Sequence, residues 1–127
     1  MIDIQDVIRI HEILIGNFGG SKGLRDHGLL ESAISRPFQT FDKVDLYSNP
    51  VEKSAALIES IIINHPFVDG NKRIGYVLMR VLLMEFGFDI IATEEEKYDF
   101  VLKIAEGKYH HLEIIEWLID KIGDNKL

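Results

Sequence analysis

The sequence has no cysteine, which excludes a disulfide framework and thiolate catalysis and fits a reducing compartment. It also has too few basic residues for a general nucleic-acid binder, because 14 Lys and Arg stand against 21 Asp and Glu and leave a formal net charge of -7. Apolar runs such as residues 61–63 are far too short to span a bilayer, and residues 1–4 show no signal-peptide pattern. We therefore expect a cytoplasmic protein that neither binds DNA directly nor enters a membrane.

Apolar residues make up 46% of the 127 residues, and their spacing predicts one all-α domain over residues 1–127. The fourth of six predicted helices is apolar most of the way round, so we expect it to be the buried centre of the bundle. Residues 88–91 are expected to form an extended link and residues 124–127 a polar tail. Caps, prolines and glycines predict six helices. The first runs from Asp3 to an end between Gly16 and Gly20, and the others run from Asp26 to Pro37, from Pro50 to Asn64, from Asn71 to Gly87, from Thr93 to Gly107 and, last, up to Gly123.

Residues 38–47 interrupt the helical pattern. Phe38, Thr40 and Val44 are β-forming residues without a 3.6-residue period, which predicts an extended segment or a small hairpin. Such a flap is a candidate lid, or an edge on which a target docks. An ordinary connecting loop is the alternative.

The densest group of reactive side chains lies in residues 65–73, between the third and fourth predicted helices. Lys72 and Arg73 add positive charge to a helix start, where free backbone N–H groups and the helix dipole already favour phosphate. Asp69 supplies an oxygen ligand of the kind that Mg²⁺ combines with substrate phosphates. His65 suits a general base acting on a hydroxyl. Together these groups predict transfer of part of a nucleoside triphosphate to a hydroxyl.

Each of these residues also has a structural interpretation, and the functional one rests on their convergence within a single short stretch. At two other histidine sites, the structural interpretation is favoured over the functional one. His11 falls on the apolar face of the first helix and indicates a core histidine. The pair His110 and His111 lacks the spacing of a known zinc helix and indicates a solvated helix start.

Residues 65–73, His-Pro-Phe-Val-Asp-Gly-Asn-Lys-Arg, resemble the Fic family signature His-Pro-Phe-x-Asp/Glu-Gly-Asn-Gly-Arg. Lys72 stands where that signature has glycine and Tyr76 where it has a second arginine, and both departures resemble the death-on-curing (Doc) branch. The resemblance covers nearly the whole chain, because the opening of Doc-type toxins is similar to His11, Gly19-Gly20, residues 23–26 and residues 28–33.

The resemblance implies a Fic-like helical bundle and an enzyme that uses ATP and Mg²⁺. Fic enzymes most often move AMP onto protein hydroxyls. In Doc-type toxins the lysine fills space used by the α-phosphate, which implies a kinase acting on a threonine of elongation factor Tu and arresting translation. AMP transfer and an inactive binding module are the alternatives. By position, the resemblance implies His65 as the base, Phe67 as the anchor of the loop, Asp69 as the metal ligand, and Gly70, Asn71, Lys72 and Arg73 as phosphate-binding residues.

Control of the activity is expected to come from another chain. Many Fic proteins carry an inhibitory glutamate in a Ser/Thr-x-x-x-Glu-Gly/Asn helix. Here Glu106-Gly107 has Leu102 four residues earlier in place of Ser or Thr. The resemblance to Doc therefore implies a separate antitoxin protein as the partner.

Overall fold

Six α-helices are the main elements of the structure, a computed structural model that describes residues 2–124. Their number agrees with the prediction, and the all-α fold class is confirmed. None of these helices is long and apolar enough to cross a membrane. The helices are α1 (Ile4–Phe18), α2 (His27–Ser35), α3 (Pro50–Asn64), α4 (Asn71–Glu85), α5 (Glu94–Ala105) and α6 (His111–Lys121).

Four helix starts are fixed by the cap residues that the sequence indicates. The side chains of Asp3, Asp26 and Asn49 each accept a hydrogen bond from a backbone N–H in the first turn, at 2.7, 2.9 and 2.9 Å. Thr93 forms a complete capping box with Glu96. Because these side chains satisfy N–H groups that have no partner within the helix, the four helices begin where predicted.

The pair α3 and α4 forms the centre of the bundle, and α3 is the more enclosed of the two. α3 packs against α2, α4, α5 and α6, and almost every residue from Lys53 to Ile62 is buried. Gly75 of α4 allows the two helices to approach closely, because a Cβ there would lie 3.3 Å from side-chain atoms of Ile61 and Ile62.

One side of α4 is exposed, which corrects the prediction that this helix is the enclosed centre. Val81 of α4 is 43% exposed, and Phe86, which directly follows the helix, is 49% exposed. The apolar content of α4 therefore overstates its burial, since solvent reaches one of its faces. The buried face comprises Asn71, Ile74, Gly75, Leu78, Met79, Leu82 and Leu83.

The predicted flap contains a β-hairpin. Strands β1 (Thr40–Phe41) and β2 (Val44–Asp45) pair antiparallel. The two turn residues, Asp42 and Lys43, have φ angles of 52° and 66°. Positive φ at both positions matches the turn to the twist of the strands. A short 3₁₀-helix, Arg36–Phe38, precedes the hairpin.

A second strand pair joins the end of the chain to the centre of the fold. β3 (Phe88–Ile90) pairs antiparallel with β4 (Ile122–Asp124). Residues 88–90 are extended, as the sequence predicts, but their pairing with β4 was not predicted. The prediction of a tail that begins at residue 124 is wrong at that residue, because Asp124 belongs to β4. Residues 125–127 of the predicted tail lie outside the described part of the chain.

Candidate active site

The loop of residues 65–70 joins α3 to α4, and left-handed residues mark both of its ends. His65 has φ 52° at the C-terminus of α3, and Gly70 has φ 78° at the start of α4. A side chain at Gly70 would press on Ile15 and His11, with a Cβ 3.2 and 3.4 Å from their nearest atoms. Glycine is therefore required there by both backbone conformation and space.

The ring of His65 is held in one tautomer. Its Nδ1 lies 2.9 Å from the carbonyl oxygen of Ile62, one turn earlier in α3. Because a carbonyl only accepts hydrogen bonds, Nδ1 carries the proton in the neutral ring, and Nε2 keeps its lone pair. The residue is exposed. This arrangement allows Nε2 to take a proton from an incoming hydroxyl.

Arg25 clamps the backbone that carries this histidine. Its Nε donates to the carbonyl oxygen of His65 at 2.6 Å, and a terminal nitrogen donates to the carbonyl oxygen of Asn64 at 2.8 Å. The backbone N–H groups of Arg25 and Asp26 both donate to the carbonyl oxygen of Pro66, at 2.7 and 3.0 Å. In the sequence, Arg25 belongs to the stretch that carries the resemblance, and no role is predicted for it. Because Arg25 and His65 are 40 positions apart in the sequence, no local signal indicates this clamp.

The clamp belongs to a segment, residues 19–26, that follows the motif loop along its length. Val68 donates from its backbone N–H to the carbonyl oxygen of Gly23 at 3.0 Å. Leu24 forms an isolated antiparallel bridge with Phe67. The glycine-rich stretch is therefore a support for the candidate active site and not a phosphate-binding loop.

Phe67 is the buried anchor that the sequence predicts, at 1% exposure. Its ring stacks on that of His11, with centroids 3.8 Å apart and planes 9° apart. His11 is 2% exposed, and its Nε2 lies 2.7 Å from the carbonyl oxygen of Asp69. The prediction of a core histidine is confirmed. This core histidine also holds the loop in place, through its contacts with Phe67 and Asp69.

The Asn71 side chain is occupied by the same loop. Its Oδ1 accepts from the backbone N–H of Phe67, and its Nδ2 donates to the carbonyl oxygen of Phe67, both at 3.0 Å. The residue is only 4% exposed. The resemblance implies that Asn71 binds phosphate, but its side-chain amide holds the loop. Asn71 can therefore offer an anion its backbone N–H, which has no acceptor within the helix.

Asp69 presents an exposed carboxylate beside the start of α4. Its Oδ2 accepts from the backbone N–H of Ser21 at 3.0 Å, and its Oδ1 from that of Gly70 at 2.8 Å. These hydrogen bonds, the Ser21 bond foremost, hold the pKa of the Asp69 carboxyl below its usual range. The group is a permanent anion near neutral pH. One carboxylate oriented in this way fits Mg²⁺, which completes its coordination with water and substrate phosphates.

The first turn of α4 forms the candidate phosphate cradle, composed of residues 70–73. Backbone N–H groups in this turn have no acceptor within the helix. Lys72 is exposed. Arg73 donates to the carbonyl oxygen of Gly19 at 3.0 Å, and its guanidinium carbon lies 5.5 Å from the centre of the Phe18 ring. The predicted phosphate-binding residues therefore lie together on one helix start.

A pocket of about 620 Å³ opens from this cradle between α1, α4 and α5. Tyr76 forms part of its wall. The Tyr76 hydroxyl is buried and has no hydrogen-bond partner within the described residues, and burial raises its pKa to about 12. His65 is not part of the pocket wall. A ligand bound to the cradle can therefore extend into the pocket, whereas His65 lies outside the pocket wall.

The three predicted flap residues do not lie together. Thr40 and Val44 lie on the hairpin and are exposed, Val44 at 68%. Phe38 lies in the 3₁₀-helix and packs against the core, with the Lys53 ammonium 5.9 Å from its ring centre. Phe41 is the hairpin's most exposed aromatic residue, at 75%, and was not predicted.

The histidine pair at the start of α6 is structural. His110 is exposed and precedes the helix, which begins at His111. The ring of His111 packs edge-on against Tyr47, with centroids 5.2 Å apart. Among residues 2–124, no cluster of three or more metal-binding side chains is present.

The part of the chain that matches a known family contains both the motif loop and residues 19–26, which support it. The Fic/DOC family model matches residues 1–83. Toxin Doc of Mycolicibacterium smegmatis is 38% identical over 91 residues, which are 72% of this chain and 68% of that protein. A Fido domain-containing protein of Dictyostelium discoideum is 32% identical over 65 residues, 49% of this chain and 46% of its own length. Protein adenylyltransferase Fic of Drosophila melanogaster is 29% identical over 124 residues, covering 82% of this chain and 25% of that protein.

Proposed function

Because this chain belongs to the Fic/DOC family, we propose that it is a protein kinase and the toxin of a toxin–antitoxin pair. It transfers the γ-phosphate of ATP to a Thr or Ser hydroxyl of a translation factor of the elongation factor Tu type. The observation that carries the proposal is the fixed tautomer of His65, whose Nδ1 lies 2.9 Å from the Ile62 carbonyl oxygen beside a phosphate cradle.

In the proposed reaction, Nε2 of His65 takes the proton of the target hydroxyl. The oxygen forms a bond to the γ-phosphorus, while the bond from that phosphorus to the β–γ bridging oxygen breaks and ADP leaves. The role of the protein is mainly to position the reactants and stabilise charge, as is general in phosphoryl transfer. The exposed ring of His65 is consistent with a protein substrate, which must approach from solvent.

The phosphates of ATP are bound by the cradle. Lys72 and Arg73 supply positive charge, and backbone N–H groups from residues 71–73 supply hydrogen bonds. Asp69 holds Mg²⁺, which neutralises charge on the phosphate oxygens when bound. The low pKa of Asp69 supports this role because the carboxylate needs no deprotonation before it binds a cation.

AMP transfer by the same residues is the second candidate function. A glycine at position 72 would let a phosphate approach the backbone closely, whereas Lys72 fills that space. Tyr76 stands where a second arginine would bind phosphate, and its buried hydroxyl is a poor replacement for a cation. Both positions favour γ-phosphate transfer. An inactive binding module is disfavoured by the intact His65 and Asp69.

Control by a separate antitoxin protein is part of the proposal. Leu102 stands where a built-in inhibitory segment would carry Ser or Thr, four residues before Glu106. The net charge of -7 disfavours direct DNA binding by the toxin itself. Action on a translation factor places the enzyme in the cytoplasm.

Transfer from differently labelled ATP tests the proposal. The protein is incubated with cell lysate, Mg²⁺ and ATP labelled at the α- or the γ-phosphate. Transfer of the γ label alone is expected, together with its loss in His65→Ala. His27→Ala, which removes an exposed histidine on α2, is the matched control and should keep the activity. Transfer of the α label alone would establish AMP transfer, and the absence of any transfer or toxicity would favour the binding module.

A further inference from the structure

Lys53 is a buried cation outside the candidate active site. It lies in the first half of α3 and is only 8% exposed. Its ammonium donates to the backbone carbonyl oxygen of Tyr47, to a carboxylate oxygen of Asp45 at 3.2 Å and to the carbonyl oxygen of Pro37 at 3.4 Å. An ammonium has three N–H donors, so each one has an acceptor. Because a buried charge is costly without such partners, Lys53 is stable in this position only while the three acceptors stay in place.

The three acceptors come from both ends of the flap. Pro37 precedes β1, Asp45 ends β2, and Tyr47 follows it. The two strands have only two residues each, and all four are exposed. A two-stranded hairpin of this kind is at best marginally stable by itself. The position of the flap therefore depends on its base, where residues 37 and 47 meet at one ammonium.

Arg36 ties the same base to a later turn of α3. Its Nε donates to the hydroxyl oxygen of Tyr47 at 2.9 Å. One of its terminal nitrogens donates to a carboxylate oxygen of Glu59 at 2.8 Å and to the hydroxyl oxygen of Ser60 at 2.9 Å. The helix that receives these bonds ends at His65. One continuous helix thus connects the base of the flap to the proposed catalytic base.

We propose that Lys53 is a positioning residue for the protein substrate. It clasps the base of the flap and so fixes the exposed hairpin, with Phe41 and Val44 at 75% and 68% exposure, relative to His65. The inference rests on the proposed function, because it concerns the protein that receives the phosphate. A docking edge that is ordered before the substrate arrives lowers the cost of binding. The clasp therefore acts on the affinity for the protein substrate and not on the transfer step.

Lys53→Met tests the clasp, because methionine keeps a long apolar stem and removes the three donors. Transfer from saturating Mg²⁺-ATP to purified elongation factor Tu is measured at a series of factor concentrations. KM for the factor should rise about tenfold, since only a fraction of the molecules then hold the flap in place. The kcat value should be unchanged, because bound substrate selects that fraction. Calorimetry should show unchanged affinity for Mg²⁺-ATP.

Two further variants separate the clasp from general effects of substitution. Asp45→Ala removes one acceptor whose side chain is 52% exposed, so the core stays intact, and KM should rise in the same direction by a smaller factor. This variant decides the question if Lys53→Met does not fold. Lys108→Met is the matched control. It changes a lysine that is 66% exposed, and KM, kcat and ATP affinity should all equal those of the wild type.

Hydrogen exchange reports on the flap without any substrate. The backbone N–H of Leu46 donates to the carbonyl oxygen of Gln39 at 3.0 Å, across the base of the hairpin. In Lys53→Met this amide should exchange at least tenfold faster, while the amides of α3 and α4 exchange as in the wild type. Such a local change distinguishes release of the flap from loss of the fold.

The outcomes distinguish failure of the clasp from failure of the proposed function. Wild-type exchange at Leu46 in Lys53→Met would overturn the clasp. Faster exchange with unchanged KM, or a fall in kcat with unchanged KM, would overturn its role in docking and leave the kinase intact. A wild type that transfers no phosphate to elongation factor Tu would refute the proposed function and the docking role together. The exchange of Leu46 would then still decide whether Lys53 holds the flap.

Discussion

Arg25 and His65 are joined by a 2.6 Å hydrogen bond from the guanidinium Nε to the backbone carbonyl oxygen, across 40 positions of sequence. A second bond from the same guanidinium reaches Asn64. The last carbonyl groups of a helix lack partners within it, and Arg25 satisfies two of them at the end of α3. It thereby secures the left-handed conformation of His65 and the direction of its ring.

Replacing Arg25 by Ala should slow transfer about tenfold or more, because a small displacement of a catalytic group is costly. The free energy of unfolding should fall by about 1 kcal/mol for each lost hydrogen bond. Arg25→Lys keeps the charge but cannot bridge two carbonyls as the planar fork does, so its rate should be intermediate. Transfer rates and urea denaturation are measured together.

Arg9→Ala is the control for this prediction. Arg9 lies on α1 and forms an exposed pair with Asp6 at 2.8 Å, which contributes little to stability. Its removal should leave the transfer rate unchanged. An Arg25→Ala enzyme as fast as the wild type would mean that the base is positioned by α3 alone.

Glu96 predicts a pH dependence of stability. Hydrogen bonds from the Lys121 ammonium and from Thr93 lower the pKa of the Glu96 carboxyl from 4.5 to about 2. Because the folded-state pKa is depressed, the stabilisation is complete above the unfolded value and is lost as the pH falls from about 4.5 to about 2. Glu96→Gln should therefore be less stable than the wild type at pH 7, and the difference should shrink steadily as the pH falls towards 2.

Urea denaturation between pH 2 and 7 measures this difference. Glu95→Gln, a change in the same exposed first turn of α5, is the control and should not reproduce the pH-dependent gap. If the difference in the free energy of unfolding between wild type and Glu96→Gln is the same at every pH from 2 to 7, the carboxylate charge does not cause it.

Local signals made much of the fold predictable, and distant contacts did not. Asp26 and Thr93 cap helices through atoms three residues away, so short sequence patterns contain the whole interaction. The pairing of β3 with β4 joins segments more than 30 residues apart, such as Ile90 and Ile122, and neither segment is long enough to show a period. The motif loop could be located from sequence, but its support by residues 19–26 depends on tertiary contacts.

Asn71 and Lys72 are neighbours with separable roles, although the resemblance implies phosphate binding for both. Asn71→Ala leaves the buried N–H and carbonyl of Phe67 without partners. The free energy of unfolding should therefore fall by about 2–4 kcal/mol. Lys72→Ala removes an exposed side chain and should change stability by less than about 0.5 kcal/mol, while weakening ATP binding. Urea denaturation and calorimetry separate the two effects. An Asn71→Ala protein with wild-type stability and weak ATP binding would show that the amide contacts the ligand.

Gly20 and Gly19 offer a matched test of the carboxylate of Asp69. Both glycines have positive φ, 116° and 85°, so alanine at either strains the backbone by about 1 kcal/mol or more. A Cβ at Gly20 would lie 2.7 Å from Oδ2 of Asp69, whereas one at Gly19 meets nothing within 4 Å. The Asp69 side chain can relieve the clash by rotating away from Ser21, and it then loses the orientation in which it faces the cradle.

Gly20→Ala should therefore weaken Mg²⁺-dependent ATP binding about tenfold, the scale expected when the orientation of a metal ligand is disturbed. Gly19→Ala should be less stable than the wild type but should bind ATP with the same affinity. Calorimetric titration of ATP at low and saturating Mg²⁺ distinguishes the outcomes, because a defect in the metal site diminishes as Mg²⁺ rises. Equal affinities in the two variants at every Mg²⁺ concentration would argue that Asp69 does not hold the cation, and that its bonds to Ser21 and Gly70 serve only to close the loop.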